Sequence, residues 1–401
     1  MQNYSCDLNI VMENYELGGV TTHLVTLLNQ KNFLNKKIHI FTNKDNLAIK
    51  KLKSSLINQN IKFTKFKNLN CMFFDNIVLK ILYNSLKPIL FFFSIIQFYN
   101  LLKKNKKTPM LANCGGYGSF RSEMAAIIAN KLRGNDKNFL LIHHSFSKPR
   151  LWNFLIQIIN YFIYTIIIKL IFVSKASKTN ILKNVLFFKN KQKNLIIYNG
   201  LEDKPLKKKF LLKFKTKKKL LKIGVLSRVE KIKGHEQIIS SVEKMSEFNR
   251  SKIKIYFVGS GKKSYVENLK RKIKSKNLSE NFKFCGYMKE ESNLILSHFD
   301  LTLSMNQDFE GFGYSHVEAL SLNIPSFVSN VGAAEEIFGG KNILLLKKNN
   351  DLVLKKKIEE FIKNNSNFKK ETKKIRSRIK KKFNAKLMSD KFFQYCLNRK
   401  N

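Results

Sequence analysis

Two carboxylates, Glu310 and Glu318, bracket the stretch Glu310-Gly311-Phe312-Gly313-Tyr314-Ser315-His316-Val317-Glu318. The glycines place Glu310 in a loop, and the apolar spacing of about 315–322 places Glu318 in the helix that follows. Glycines at a loop-to-helix junction let the backbone approach a ligand closely, and the free N–H groups of a helix start form an anion site. One carboxylate can then reach the reacting end of a ligand and the other its far end. A plainer reading stays open. Ser315 to Glu318 also has the S-x-x-E spacing of a capping box, in which Glu318 would only cap its helix. Two cations, Arg228 and Lys233, follow another strand pattern and precede another helix. They suit a diphosphate, because both donate charge-assisted hydrogen bonds.

The elements that must carry these residues alternate. Residues 301–305 read as a buried strand, 324–329 as a second strand, and Gly332 as a turn into a further helix, which makes an α/β unit. The strand starting at 221 leads to Arg228 and Lys233-Gly234, then to a helix from about 235. Strands at 253–258 and 282–284 run into Gly259-Ser260-Gly261 and Cys285-Gly286-Tyr287.

The first half repeats the scheme. A strand at 8–12 is followed by Gly18-Gly19 and a helix at 20–28, a phosphate-approach turn. It lacks the third glycine of the dinucleotide fingerprint, so NAD is not indicated. Strands are expected at 37–41, 61–66, 110–113 and 138–143, and a helix at 123–132. The strand at 138–143 ends in His143-His144-Ser145, where ligands bind in open α/β sheets. Residues 77–102 read as apolar and mostly helical; the uncharged part, 89–102, is too short to span a bilayer and lies either in the core or in a membrane interface. Residues 151–168 carry no charge. They read as a helix to about 164 and then a strand to 173, with a membrane span as the alternative.

Composition bounds the partners. The 401 residues carry 75 Lys and Arg against 28 Asp and Glu, a formal net charge of +47. That charge suits an anionic membrane surface or nucleic acid. No RNA-recognition aromatic signature, zinc-finger spacing or basic zipper accompanies it, so nucleic acid is not expected. Cys6, Cys71, Cys114, Cys285 and Cys396 are odd in number and far apart. Free thiols in a reducing compartment follow, and no zinc site. The N-terminus lacks a basic region followed by a long apolar core, so no signal peptide is expected.

The stretch E-G-F-G-Y-S-H-V-E-A-L resembles the E-x7-E signature of glycosyltransferase family 4, retaining nucleotide-sugar enzymes of the GT-B fold. Further elements match in order: Gly18-Gly19, the strand ending at His144, Asn199-Gly200, Arg228 with Lys233-Gly234, Gly259-Ser260-Gly261, and Gly332 with Glu336. Ser227 stands where the family usually has Gly, and Glu335 where it usually has Pro. The resemblance implies two Rossmann-like domains facing across a cleft. Residues 1–201 would bind the acceptor, 202–219 would link, 220–375 would bind the nucleotide sugar, and 376–401 would return to the first domain.

The resemblance also implies roles. Glu310 would hold the donor sugar's hydroxyls, with His144, or His143 one position earlier, near that sugar. Glu318 would hold the ribose. Gly18, Gly19, Arg228, Lys233 and the loop Gly311-Phe312-Gly313 would hold the diphosphate. No metal and no cofactor are expected. The acceptor would be a glycan or a lipid-linked glycan of cell-surface polysaccharide or lipopolysaccharide biosynthesis, and the protein cytoplasmic and peripheral on the membrane. A basic membrane- or nucleic-acid-binding protein, or a catalytically inactive GT-B partner subunit, is the competing reading.

Overall fold

The computed structural model describes residues 6–15, 18–69, 76–103, 108–118, 120–146, 152–185, 192–203, 214, 220–347 and 350–398. The chain divides into two compact units, 1–202 with 383–401, and 203–382. The first contains β1 (Leu8–Met12), α1 (Gly19–Leu28), α2 (Lys31–Leu34), β2 (Ile38–Asn43), α3 (Ile49–Ser55), β3 (Ile61–Phe66), α4 (Ile77–Leu101), β4 (Met110–Cys114), α5 (Ser122–Leu132), β5 (Asn138–Ile142), α6 (Asn153–Ile166), β6 (Lys169–Phe172), α7 (Lys175–Asn184) and β7 (Asn194–Ile196). The second contains β8 (Leu221–Leu226), α8 (His235–Glu243), α9 (Glu247–Arg250), β9 (Ile253–Val258), α10 (Lys263–Ser275), β10 (Phe282–Gly286), α11 (Ser292–Leu296), β11 (Leu301–Ser304), α12 (Tyr314–Ser321), β12 (Ser326–Ser329), α13 (Ala334–Phe338), β13 (Leu345–Leu346), α14 (Asp351–Lys363) and α15 (Ser366–Lys382). The last helix, α16 (Ala385–Cys396), belongs to the first unit.

The first unit is built on a seven-stranded parallel sheet in the order β3-β2-β1-β4-β5-β6-β7. Every residue of β1, β2, β4 and β5 is buried. Burial on both faces is what a parallel sheet covered by helices on both sides requires. Side chains alternate between the faces. Leu8, Ile10 and Met12 pack with Leu24 and Leu28 of α1 and with Met388 and Phe392 of α16. Val11 points the other way, into the core shared by α4, α5 and α6.

The second unit carries a six-stranded parallel sheet, β10-β9-β8-β11-β12-β13. Most of the segment 202–219 lies outside the described residues. Phe214 within it is fully buried against Tyr256, His298 and Phe299, so that part of the expected linker contributes to the second unit's core. The return to the first unit begins at 383, not 376, because α15 runs unbroken to Lys382. Arg376 donates to Ser321 O at 2.9 Å, and Arg378 to Ile337 O at 3.0 Å. Cationic side chains thereby cover the carboxyl ends of α12 and α13, where unpaired carbonyls collect.

In each sheet the winding direction reverses once, between β1 and β4 and between β8 and β11. Loops leaving neighbouring strands at such a point part to opposite faces and leave a crevice at the carboxyl edge.

Candidate active site

The reversal point of the second sheet brings two distant loops together. Thr302 of β11 pairs with Gly224 of β8. The chain leaving β8 passes Arg228, makes a 3-10 turn at Lys231–Lys233, and enters α8 through Gly234. A β-carbon on Gly234 would lie 1.9 Å from Met305 O, so only glycine lets this turn reach the exit of β11. Gln307 N–H donates to Ile232 O at 2.8 Å and ties the loops together. Lys233 Nζ then donates to Glu310 Oε2 at 3.0 Å, with about a fifth of each side chain exposed. Asn306 Nδ2 donates to the same carboxylate oxygen. Such a bond is charge-assisted and stronger than a neutral one.

Helix α12 starts at Gly313, which has φ 81 and makes no side-chain cap bond. Ser315 is therefore already inside the first turn, and the capping box does not form. Glu318 stands in the second turn, half-buried, leaving its carboxylate out of the capping role. The first-turn amides of a helix have no intrahelical acceptor, and those of α12 begin where the glycine loop ends. Beneath them lies the His316 ring, packed over Gly313. Neither of its nitrogens has a hydrogen-bond partner among the described residues. Burial lowers its pKa to about 4, against the pull of the Glu310 carboxylate and with the help of Lys233. A neutral imidazole thus underlies the Lys233–Glu310 pair. Arg228 turns its guanidinium to Glu230, at 2.8 Å.

The second unit coincides with the match to the family described as Glycosyl transferases group 1, at residues 203–382. An uncharacterized glycosyltransferase of Methanocaldococcus jannaschii is 30% identical over 282 residues, covering 67% of this chain and 70% of that protein. The chain belongs to the group 1 glycosyltransferases. The O-antigen biosynthesis glycosyltransferase WclY of Escherichia coli is 26% identical over 174 residues, 42% of this chain and 45% of that protein. Among solved structures, Anabaena HepE in complex with UDP and glucose superposes with a TM-score of 0.73 at 15% identity, over 97% of this chain and 98% of that one. The two parallel-sheet units have the GT-B fold.

In the first unit of this glycosyltransferase, Gly18 caps α1 in an extended conformation and Gly19 is its first residue. A β-carbon on Gly18 would meet nothing within 4 Å, so internal packing does not demand glycine there. The approach to this turn is held by a buried ionic cluster that sequence reading passed over. Glu13 N–H donates to Glu123 Oε1 at 2.9 Å, Ser122 N–H donates to Glu13 Oε2 at 3.1 Å, and Arg121 donates to Glu123 Oε2 at 3.2 Å.

The two histidines after β5 separate by environment. His143 is buried, 2.7 Å from Asn113 Oδ1 and edge-on to His23, and burial holds its pKa well below the usual range. His144 is half-buried, 3.0 Å from Ser145 Oγ. Asn306 and His316 also escaped the sequence reading. Asn306 had a signal, a polar residue directly after the buried run 301–305. His316 had none, since a histidine inside a helical pattern reads as core. Among the described residues no three His, Cys, Asp or Glu side chains gather as metal ligands would.

Proposed function

We propose that this glycosyltransferase transfers a sugar, with retention of configuration, from a nucleotide-diphosphate sugar to a glycan or lipid-linked acceptor. The observation that carries the reading is the Lys233–Glu310 pair at the mouth of the glycine loop. A cation and a carboxylate 3.0 Å apart suit the junction of a sugar diphosphate, anionic on one side and rich in hydroxyls on the other. Lys233, Arg228 and the first-turn amides of α12 take the diphosphate. Glu310 accepts hydrogen bonds from the sugar hydroxyls, and Glu318 from the ribose. His144 is assigned to the donor sugar by the family resemblance. HepE, solved with UDP and glucose, supports a uridine diphosphate sugar, and WclY supports a surface-polysaccharide acceptor.

The bond from the anomeric carbon to the diphosphate breaks as the bond to the acceptor oxygen forms on the same face. The departing phosphate oxygen takes the acceptor's proton. Charge develops on the diphosphate, so preorganised cations and amides there lower the barrier without a metal.

A thermal-shift panel of sugar nucleotides tests the donor, because a ligand that binds only the native state raises apparent stability. One donor class should shift the melting temperature and release nucleoside diphosphate when acceptor is added, and NMR should find the donor's anomeric configuration in the product. Binding without turnover on any acceptor would instead identify an inactive partner subunit. No shift with any sugar nucleotide would remove the proposal.

A further inference from the structure

Helix α4 carries large apolar residues on both of its sides, although only one side is buried. Tyr83, Phe91, Ser94 and Phe98 face the core, with Phe98 against Phe66 at 4.9 Å and Phe91 against Phe120 at 5.4 Å. Its opposite side presents Ile81, Ile89, Phe92 and Phe93, each more than half exposed. Helix α6 repeats the pattern. Asn160 is buried and accepts from Tyr117 Oη at 2.7 Å, while Phe154, Ile158 and Phe162, at i, i+4 and i+8, point outward. Helices of soluble proteins place polar residues on the outer side. Here Asn160 faces in, while Phe154 and Phe162 face out.

A hydrogen bond links the two helices. Pro88 lacks the N–H that would bond Asn84 O within α4. Trp152, at the N-terminus of α6, donates its indole N–H to that carbonyl at 3.0 Å and remains 43% exposed. Charge identifies what covers this side. Residues 76–201 hold 19 Lys and Arg against two acids, Glu123 and Asp136. Glu123 is buried with Arg121, and Asp136 is paired with Lys131. Within residues 76–201, then, no carboxylate is both exposed and unpaired. Helix α4 is long and apolar enough to cross a membrane, and its inner side, at Phe91 and Phe98, is committed to the α/β core.

We infer that the outer sides of α4 and α6, with Trp152 between them, dock this protein on an anionic lipid bilayer. The apolar side chains enter the boundary between headgroups and acyl chains, and the surrounding lysines pair with lipid phosphates. Tryptophan favours that depth because one end of its ring is apolar and the other needs a hydrogen-bond partner.

Trp152 is the single tryptophan, so the unaltered full-length chain reports its own insertion. With vesicles of phosphatidylglycerol and phosphatidylethanolamine, its fluorescence should shift to the blue and be quenched by brominated acyl chains. Pure phosphatidylcholine should bind at least tenfold more weakly. In flotation assays F92S/F93S and F154S/I158N should each cut binding at least tenfold, with circular dichroism reporting their folding. An unquenched Trp152 with floating protein would overturn the inference, as would failure to float. Concentration-dependent dimers abolished by the same substitutions, without vesicle binding, would assign the surface to a second copy of the chain and overturn it too.

Discussion

Gly332 presses on Glu310: a β-carbon at Gly332 would fall 2.0 Å from the Glu310 carbonyl oxygen. The next residue, Ala333, donates its N–H to that same oxygen at 2.9 Å. The backbone of Glu310 is therefore fixed from behind by the turn after β12, while its carboxylate is held in front by Lys233 and Asn306. This gives the glycine of the G-x-x-x-E element a physical reason. It permits close approach, and its φ of 58 is one that other residues rarely adopt.

Gly332→Ala should accordingly cost about 1–3 kcal/mol of stability, the usual range for a strained backbone site. Turnover should fall further than stability explains, because Glu310 must move. Urea unfolding and turnover at a temperature where the variant is fully folded separate the two effects. An alanine variant of wild-type stability would show that the turn can yield.

Lys233→Ala should raise the barrier by about 2–4 kcal/mol, by analogy with removal of one oxyanion donor. Arg228→Ala should lie at the lower end, since its guanidinium is 40% exposed and already engaged by Glu230. Steady-state turnover on the donor found by the thermal-shift panel measures both. Wild-type rates in both variants would put the diphosphate site elsewhere.

Glu310→Gln and Glu318→Gln should fail differently. A charge-assisted hydrogen bond is roughly twice a neutral one, so Glu310→Gln should slow turnover by about 1–2 kcal/mol. Nucleoside diphosphate affinity should hold or rise, because Lys233 loses its carboxylate partner. Glu318→Gln should weaken nucleoside diphosphate binding. It should barely change helix stability, because Gly313, not a capping box, starts α12. Calorimetry with the diphosphate alone distinguishes the variants, and equal losses in both would cancel the separate sugar and ribose roles.

Burial lowers His316, His235 and His23 to about 4. Their unfolded value is about 6.5, so between these values the unfolded chain binds more protons than the folded one. Stability from these groups is complete above pH ~6.5 and is lost as pH falls towards 4. The loss is at most about 1.4 kcal/mol per pH unit for each histidine. Urea unfolding across this window should show a shallower slope for His316→Leu than for the wild type. Parallel slopes would mean that His316 titrates alike in both states.

The sequence by itself determined the alternation of buried strand, glycine loop and helix, because those signals are local. Apolar runs, turn residues and helical spacing need no distant partner to be read. It also separated Glu310, in a loop, from Glu318, in a helix. Only the tertiary structure brought Lys233 to Glu310, 77 positions on, because β8 and β11 are neighbours at the reversal of the sheet. Only backbone geometry decided that Gly313 starts α12, since S-x-x-E spacing is indifferent to where φ turns positive. His143 and His144 read alike in sequence, and burial beside Asn113 separates them. The apolar pattern of α4 is the same on its covered and uncovered sides. Which side meets the core was fixed by the strands and α5 beneath it, and the outer side was left apolar and exposed.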